Sequence, residues 1–318
     1  MKPTEYNFIK EILGEEKKPF YYYKDKYALE VAKLLCEDGL RISELKKSEF
    51  KFLLQKRPIK SVLSDLGKDT LKNEDLDKFI DPDGKNFHYT ISKWGEYEKH
   101  RNDGYYQTSR PGINLVLQLN FDDVHNNAYH QLVRPEKGYH PFAFSIHPAS
   151  QKRSYTMAWA RLDISLDTGE VLIEEVQNDW LREAVYWLKR AQLFLEQDRN
   201  RDTSEHWLLS RTSLQAINEY LAIIITSYIK LWDEAVLCLA IQFSKKELGL
   251  DNIFYHTFEG GNYLKGLEQS RPPRSLYTKL PRRFGFTETD EAPKLLKEER
   301  YLKKKLRKRN LKWFQLLL

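Results

Sequence analysis

Between Ile113 and Phe121 the chain reads Ile-Asn-Leu-Val-Leu-Gln-Leu-Asn-Phe. Ile113, Leu115, Leu117, Leu119 and Phe121 recur at every second residue, and an extended strand is the conformation that puts such a set on one side of the backbone. This stretch is therefore committed to a sheet with one face on a core. Phe142, Phe144 and Ile146 repeat the alternation. Ser154 to Ser165 carries Tyr155, Met157 and Trp159 on one face and is joined through Asp167-Thr168-Gly169 to Val171–Val176, the pattern of two adjacent antiparallel strands. The centre of the chain is expected to be an antiparallel meander.

The period changes on both sides of this centre. Tyr27, Ala28, Val31, Leu34 and Leu35 share one helical face, and a second periodic run from Ser43, with Leu45, Phe50, Phe52, Leu53 and Leu54, must stop before Pro58. A short third helix is expected around Ser61 to Leu66. Asp81-Pro82-Asp83-Gly84 is a strong turn signal, so residues 1–84 are expected to form a helical N-terminal unit. From Asp179 to Leu195 and again from Trp207 to Leu248 the pattern is helical, with Gly249 as the C-terminal cap. Ile223, Ile224 and Ile225 lie in a run too apolar for a one-sided surface helix. Asn252 to Phe258 reads as a further short strand, and the long helical connection before it favours a parallel or re-entrant place in the same sheet. The fold class expected is α+β. At 318 residues the chain exceeds the usual size of one small core, and a domain is expected over 85–290 with a helical insertion at 179–229.

Charge is distributed unevenly. Ten Lys or Arg and two Glu lie between Lys294 and Lys312, net +8 out of a total of +6, so the rest of the chain carries −2. Leu295, Leu302, Leu306 and Trp313 recur at spacings of seven, four and seven, which predicts a basic C-terminal helix within 291–318 with an apolar stripe. Such a helix suits either intramolecular docking or contact with nucleic acid or another polyanion through 294–312. Cys36 and Cys238 stand far apart, which excludes a disulfide framework. The longest charge-free apolar run, Tyr220 to Ile229, is about half of the roughly 20 residues that a membrane-spanning helix needs. Together with a first segment lacking a secretory apolar stretch, this leads to a cytoplasmic expectation.

Two clusters could carry chemistry. In Val171-Leu-Ile-Glu-Glu-Val-Gln-Asn-Asp-Trp180, strand alternation sends one of Glu174 and Glu175 to the covered side. A covered carboxylate has a raised pKa and can serve as a base, and Gln177 and Asp179 follow at the strand end. The bland alternative is that the inward Glu is held by Arg or Tyr hydrogen bonds and that Asp179 caps the next helix. The second cluster follows the strand at Asn252: Thr257, Gly260, Gly261 and Asn262, where glycines let amides approach a phosphate or simply form a tight turn. His256 reads as a satisfied, half-buried residue. The chain has no zinc-protease, P-loop, dinucleotide or nucleophile-elbow motif, and His125, His130, His140 and His147 lack carboxylates or cysteines at metal spacing, so no metal is expected.

The order of these elements, with Leu276, Tyr277, Lys279, Leu280, Gly285 and Phe286 near the end, resembles the GNAT superfamily of N-acyltransferases over residues 110 to 290. That family closes with a Leu-Tyr-x-Lys-Leu-Gly-Phe pattern, here interrupted by Pro281 to Phe284. The run from Trp232 to Thr257 is similar to its long helix and next strand. The string Glu174-Glu175-Val176-Gln177-Asn178-Asp179-Trp180 also resembles the Glu-Glu-Ile-Gln-Ser-Asp-Trp string of an uncharacterised module in phage and mobile-element polyproteins. The resemblance implies a GNAT-like mixed sheet and transfer of an acyl group from acyl-CoA to an amine. Glu174 or Glu175 would then be the base, Tyr277 the acid that protonates the thiolate, and Gln177 the start of the pyrophosphate loop. The glycines that such a loop uses are absent from Asn178 to Glu183.

Overall fold

The computed structural model describes residues 1–14, 16–36, 39–95, 107–137, 140–144, 147–148, 155–197, 202–203, 206–267 and 272–317. Among the described residues ten strands form two sheets: β1 (Lys18–Tyr22), β2 (Leu40–Arg41), β3 (Thr70–Leu71), β4 (Lys85–Trp94), β5 (Asn114–Asn120), β6 (Thr156–Ser165), β7 (Glu170–Gln177), β8 (Asn252–His256), β9 (Thr287–Thr289) and β10 (Trp313–Leu317). β2 and β3 pair alone, and the other eight form a sheet in the order β1-β4-β5-β6-β7-β8-β10-β9. The protein is α+β. Every neighbouring pair in the large sheet is antiparallel except β7 and β8, which run parallel.

β5, β6 and β7 are the strands that the alternation predicted, with Leu115, Leu117 and Leu119 fully buried in the main core, whereas β4, which pairs with β5, was not read from the sequence. Phe142, however, is a buried residue of a turn, and Phe144 is also outside any strand. Ile146 and Ser154 lie outside the described residues. The link between β5 and β6 contains instead the helix Asp123–Leu132, capped by Asp122, whose side chain accepts from His125 N–H at 2.8 Å.

The N-terminal unit is helical as expected at Lys26–Leu35, but Pro58 opens the helix Arg57–Ser64 rather than only ending what precedes it. Proline is at home there because a first-turn N–H has no helical partner. Residues 1–84 also supply β1, an edge strand on β4, and Tyr6, Ile9, Tyr22 and Leu53 belong to the same core cluster as Leu162 and Ile253. The Asp81–Gly84 turn closes with Gly84 N–H on Asp81 C=O at 3.1 Å. The helical insertion comprises Trp180–Gln197 and Leu214–Ile224, the second continuing into a wide π-turn, Ile225–Ile229. The long run expected from Trp207 is thus broken at Lys230-Leu231 before Trp232–Gln242 begins. Ile224 is buried and Ile225 exposed. Gly249, with φ of 66°, ends the segment where a side chain would be strained.

The basic tail departs most from its expectation. It forms two short helices, Lys294–Lys297 and Arg300–Lys308, and then β10, which enters the sheet between β8 and β9. Trp313 is therefore a strand residue. Leu295, Leu296 and Leu302 do form a buried stripe, packed with Trp313 on Leu172 and Phe254 of the sheet face away from the main core and on Leu264 of the helix Phe258–Lys265. No helix among the described residues is long and apolar enough to cross a membrane.

Candidate functional site

The one parallel junction in the sheet is also where it comes apart. Pairing of β7 with β8 ends at Ile173 opposite Tyr255, whereas β7 continues along β6 to Gln177. On the β6 side, Arg161 faces Glu175 and Leu162 faces Ile173, so Glu174 is an extra residue. A bulge of this kind breaks the period of two. Both adjacent carboxylates are buried, as are Val171, Leu172 and Ile173 before the bulge, because both faces of β7 are covered.

Glu174 accepts from Ser109 N–H (3.0 Å), Ser109 Oγ (2.9 Å) and His256 Nε2 (3.1 Å). Its backbone oxygen, past the end of β8, is taken by Lys265 Nζ at 2.8 Å. Burial alone would raise the Glu174 carboxyl, as the sequence reading expected of a covered Glu. The hydrogen bond and charge of His256, followed by Lys265 and Arg161, instead bring it down to about 2. Glu174 is thus a held carboxylate and a poor base. Burial lowers His256 against the pull of Glu174. Glu175 forms an ion pair with Arg161, which also donates to Gln107 C=O at 3.1 Å and stacks over Trp94 (5.4 Å to the ring centroid) and Trp159 (6.0 Å).

Ser109, His256 and Glu174 superficially match a nucleophile, a base and an orienting acid. In such a relay the acid binds one ring nitrogen and the hydroxyl the other. Here Ser109 Oγ lies 2.8 Å from Nε2 and Glu174 is bound to the same nitrogen, while Nδ1 has no partner among the described residues. All three are buried. The triangle is closed to substrate and serves to hold the bulge.

The outer end of β7 is different. Beside it lies a cleft of about 640 Å³, a size suited to a small-molecule ligand, walled by Trp94, Phe144, Trp159 and Trp232 and floored by Arg161, Glu175 and Gln177. His147 lines the same cleft, with Nδ1 2.9 Å from Asp179 Oδ2. The Asp179 carboxylate also accepts from Trp159 Nε1 (3.1 Å), Gln177 Nε2 (2.7 Å) and Arg182 (3.0 Å). Burial would raise Asp179, and the bonds from His147, Trp159 and Gln177 reverse this and lower it. Gln177 Nε2 also lies 3.1 Å from His147 Nδ1, while His147 Nε2 has no protein partner among the described residues. The sequence reading missed this dyad because 32 residues separate its members and no spacing rule links them.

Of the other residues singled out from sequence, Tyr277 is buried behind the cleft, and Leu276 rather than Tyr277 lines it. The Tyr277 hydroxyl has no partner among the described residues, and burial, then the nearby Glu175 charge, raises its pKa well above the ordinary phenol value. Thr257 caps the helix Phe258–Lys265: its Oγ1 accepts from Gly260 N–H at 3.1 Å and donates to Lys312 C=O at 2.8 Å. Gly261 N–H is bonded to Thr257 C=O at 2.9 Å. Of the two readings of the glycine pair, phosphate clamp or tight turn, the structure shows a helix start with both amides engaged. A Cβ on Gly260 would meet Thr257 Oγ1 at 2.9 Å, and one on Gly261 would meet His256 Cβ at 3.1 Å, so close packing accounts for both glycines. Asn262 is half-buried on that helix with an unpartnered Oδ1.

Among the described residues no group of three or more His, Cys, Asp or Glu is placed to hold a metal ion. Comparison with protein-family models, curated proteins and solved structures finds no match.

Proposed function

We propose that the cleft at the end of β7 is the active site of an acyl-transfer enzyme related in plan to the GNAT-like N-acyltransferases, with His147 as its general base. The observation that carries the reading is the His147–Asp179 pair in a ligand-sized cleft. The splayed parallel junction and the bulged β7 support it, since backbone beyond Ile173 has no β8 partner. In the step proposed, an acceptor amine attacks an acyl carbonyl, the N–C bond forms as the bond to the leaving group breaks, and His147 Nε2 takes the amine proton. Tyr277 does not line the cleft, so His147 itself returns the proton to the departing thiolate.

An acyl-CoA pyrophosphate does not fit at the start of Trp180–Gln197. Arg182 N–H is taken by Asn178 Oδ1 (3.3 Å), Glu183 N–H by Asp179 C=O (2.8 Å), and the Asp179 carboxylate stands beside them. A small acyl thioester is the better donor. The test is thiol release from S-acetyl-N-acetylcysteamine, with acetyl-CoA in parallel, in the presence of amines. Turnover above buffer is expected, falling about 10²–10⁴-fold in His147→Asn. Equal rates for parent and variant would refute the assignment.

A second reading is favoured by the tail. Its apolar stripe is spent on the body, so its basic face points outward, and we propose that this face binds a polyanion.

A further inference from the structure

Resting on the polyanion reading of the tail, we infer that its partner is a single-stranded nucleic acid, bound along the Arg300–Lys308 helix and stacked on Arg309. Lys303, Lys304, Arg307 and Lys308 are exposed, and none of the four makes an ion pair among the described residues. With 3.6 residues per turn, this set shares the side of the helix opposite Leu302 and forms a continuous row of charge about two turns long. Directly beyond the helix, the exposed Arg309 guanidinium lies 4.4 Å from the centroid of the half-buried Tyr263 ring.

This combination separates the classes of polyanion. A membrane-surface helix inserts an apolar face among the acyl chains, but here Leu295, Leu296 and Leu302 are buried on Leu172, Phe254 and Leu264 and are not free to insert. A duplex offers phosphates and keeps its bases stacked on one another. A single strand offers phosphates to a basic track and unstacked bases to a planar guanidinium or aromatic face. Arg309, propped on Tyr263, presents such a face at the end of the track.

The full chain would be titrated by fluorescence anisotropy against dT20, a 20-base-pair duplex, and vesicles of phosphatidylcholine with 30% phosphatidylserine. We expect dT20 to bind most tightly and to lose about 50-fold in affinity between 50 and 200 mM salt, from four phosphate contacts at about 0.7 per contact on a log–log plot. Combining Lys303→Glu, Lys304→Glu, Arg307→Glu and Lys308→Glu should abolish binding at 50 mM salt, with an unchanged far-ultraviolet spectrum as the control for folding. Arg309→Lys keeps the charge and loses the planar face, and should cost dT20 about 5–10-fold at an unchanged salt slope. Duplex binding as tight as dT20, vesicle binding alone, or full affinity in Arg309→Lys would overturn the single-strand inference while leaving the polyanion reading standing. Binding of none of the three probes at 50 mM salt would overturn both.

Discussion

Two histidine–carboxylate pairs sit at opposite ends of the same short stretch of β7, and they do opposite things. The inner one, His256 with Glu174, is sealed: both partners are fully buried, Ser109 closes the ring, and Glu174 has three donors. The outer one, His147 with Asp179, has an equally saturated carboxylate, but its imidazole borders a cleft and uses only Nδ1. What separates the sealed pair from the one proposed as chemical is which ring nitrogen the carboxylate occupies and whether the imidazole borders the cleft. Residue type and mutual distance are nearly the same in both.

The largest effect should come from opening the sealed pair. Glu174→Ala leaves Ser109 N–H, His256 and the Lys265 and Arg161 charges without the group that they surround, and loss of one partner from a buried charged network costs about 3–5 kcal/mol. His147→Ala removes a partly exposed side chain and should cost within about 1 kcal/mol of stability while removing turnover. Urea unfolding midpoints of the two variants compare the regions directly. Similar midpoints would erase the distinction.

Acid should act on the buried histidines first. His256 is lowered by burial, and His125, sandwiched on Phe121 with ring centroids 3.5 Å apart, is lowered by burial to about 3. The unfolded chain protonates such a histidine near its ordinary value of about 6.5, while the folded chain resists. For His125 the stability that neutrality contributes is therefore complete above about pH 6.5 and is lost as the pH falls toward 3, and His256 acts in the same direction. Each histidine steepens the decline by up to about 1.4 kcal/mol per pH unit. His125→Phe should flatten the fall in urea midpoint between pH 7 and 4.5. The depressed Glu174 and Asp179 add their own loss only at lower pH, as they become protonated in the unfolded chain and then in the folded one.

How much of this was legible in the sequence follows from the range of the forces involved. The meander, the helix at Lys26–Leu35, the Asp81–Gly84 turn and the Gly249 cap are local, and a period of two or a single dihedral preference announces them. The crowding of two carboxylates, Gln177 and Asp179 at one strand end was also legible, and the cleft lies beside it. The bulge at Glu174 was not, since it depends on register with Arg161 and Leu162 of β6. Nor was the partner of Asp179, because His147 comes from a segment whose alternation reads as a strand. The tail misled because Trp313 completes a helical spacing with Leu306, yet its immediate neighbours Phe314 and Leu316 fill a gap between β8 and β9 that only tertiary structure reveals.

The smallest effect tests whether the outer carboxylate is as saturated as its geometry implies. Arg182 is the most exposed of the four donors to Asp179, with 55% of its side chain accessible, and its 3.0 Å contact joins residues three apart in sequence. An ion pair in that setting gains little Coulomb energy and restricts a long side chain, so its worth is about 0–1 kcal/mol. Removing it leaves His147, Trp159 and Gln177 on the carboxylate, and all three hold it from within the cleft wall. Arg182→Ala should therefore shift the unfolding midpoint by no more than about 0.5 kcal/mol and lower turnover by no more than a few fold. If it instead reduced turnover as far as His147→Asn does, Arg182 would be acting on the ligand, and the outer pair would need a cation at its mouth that the inner pair never required.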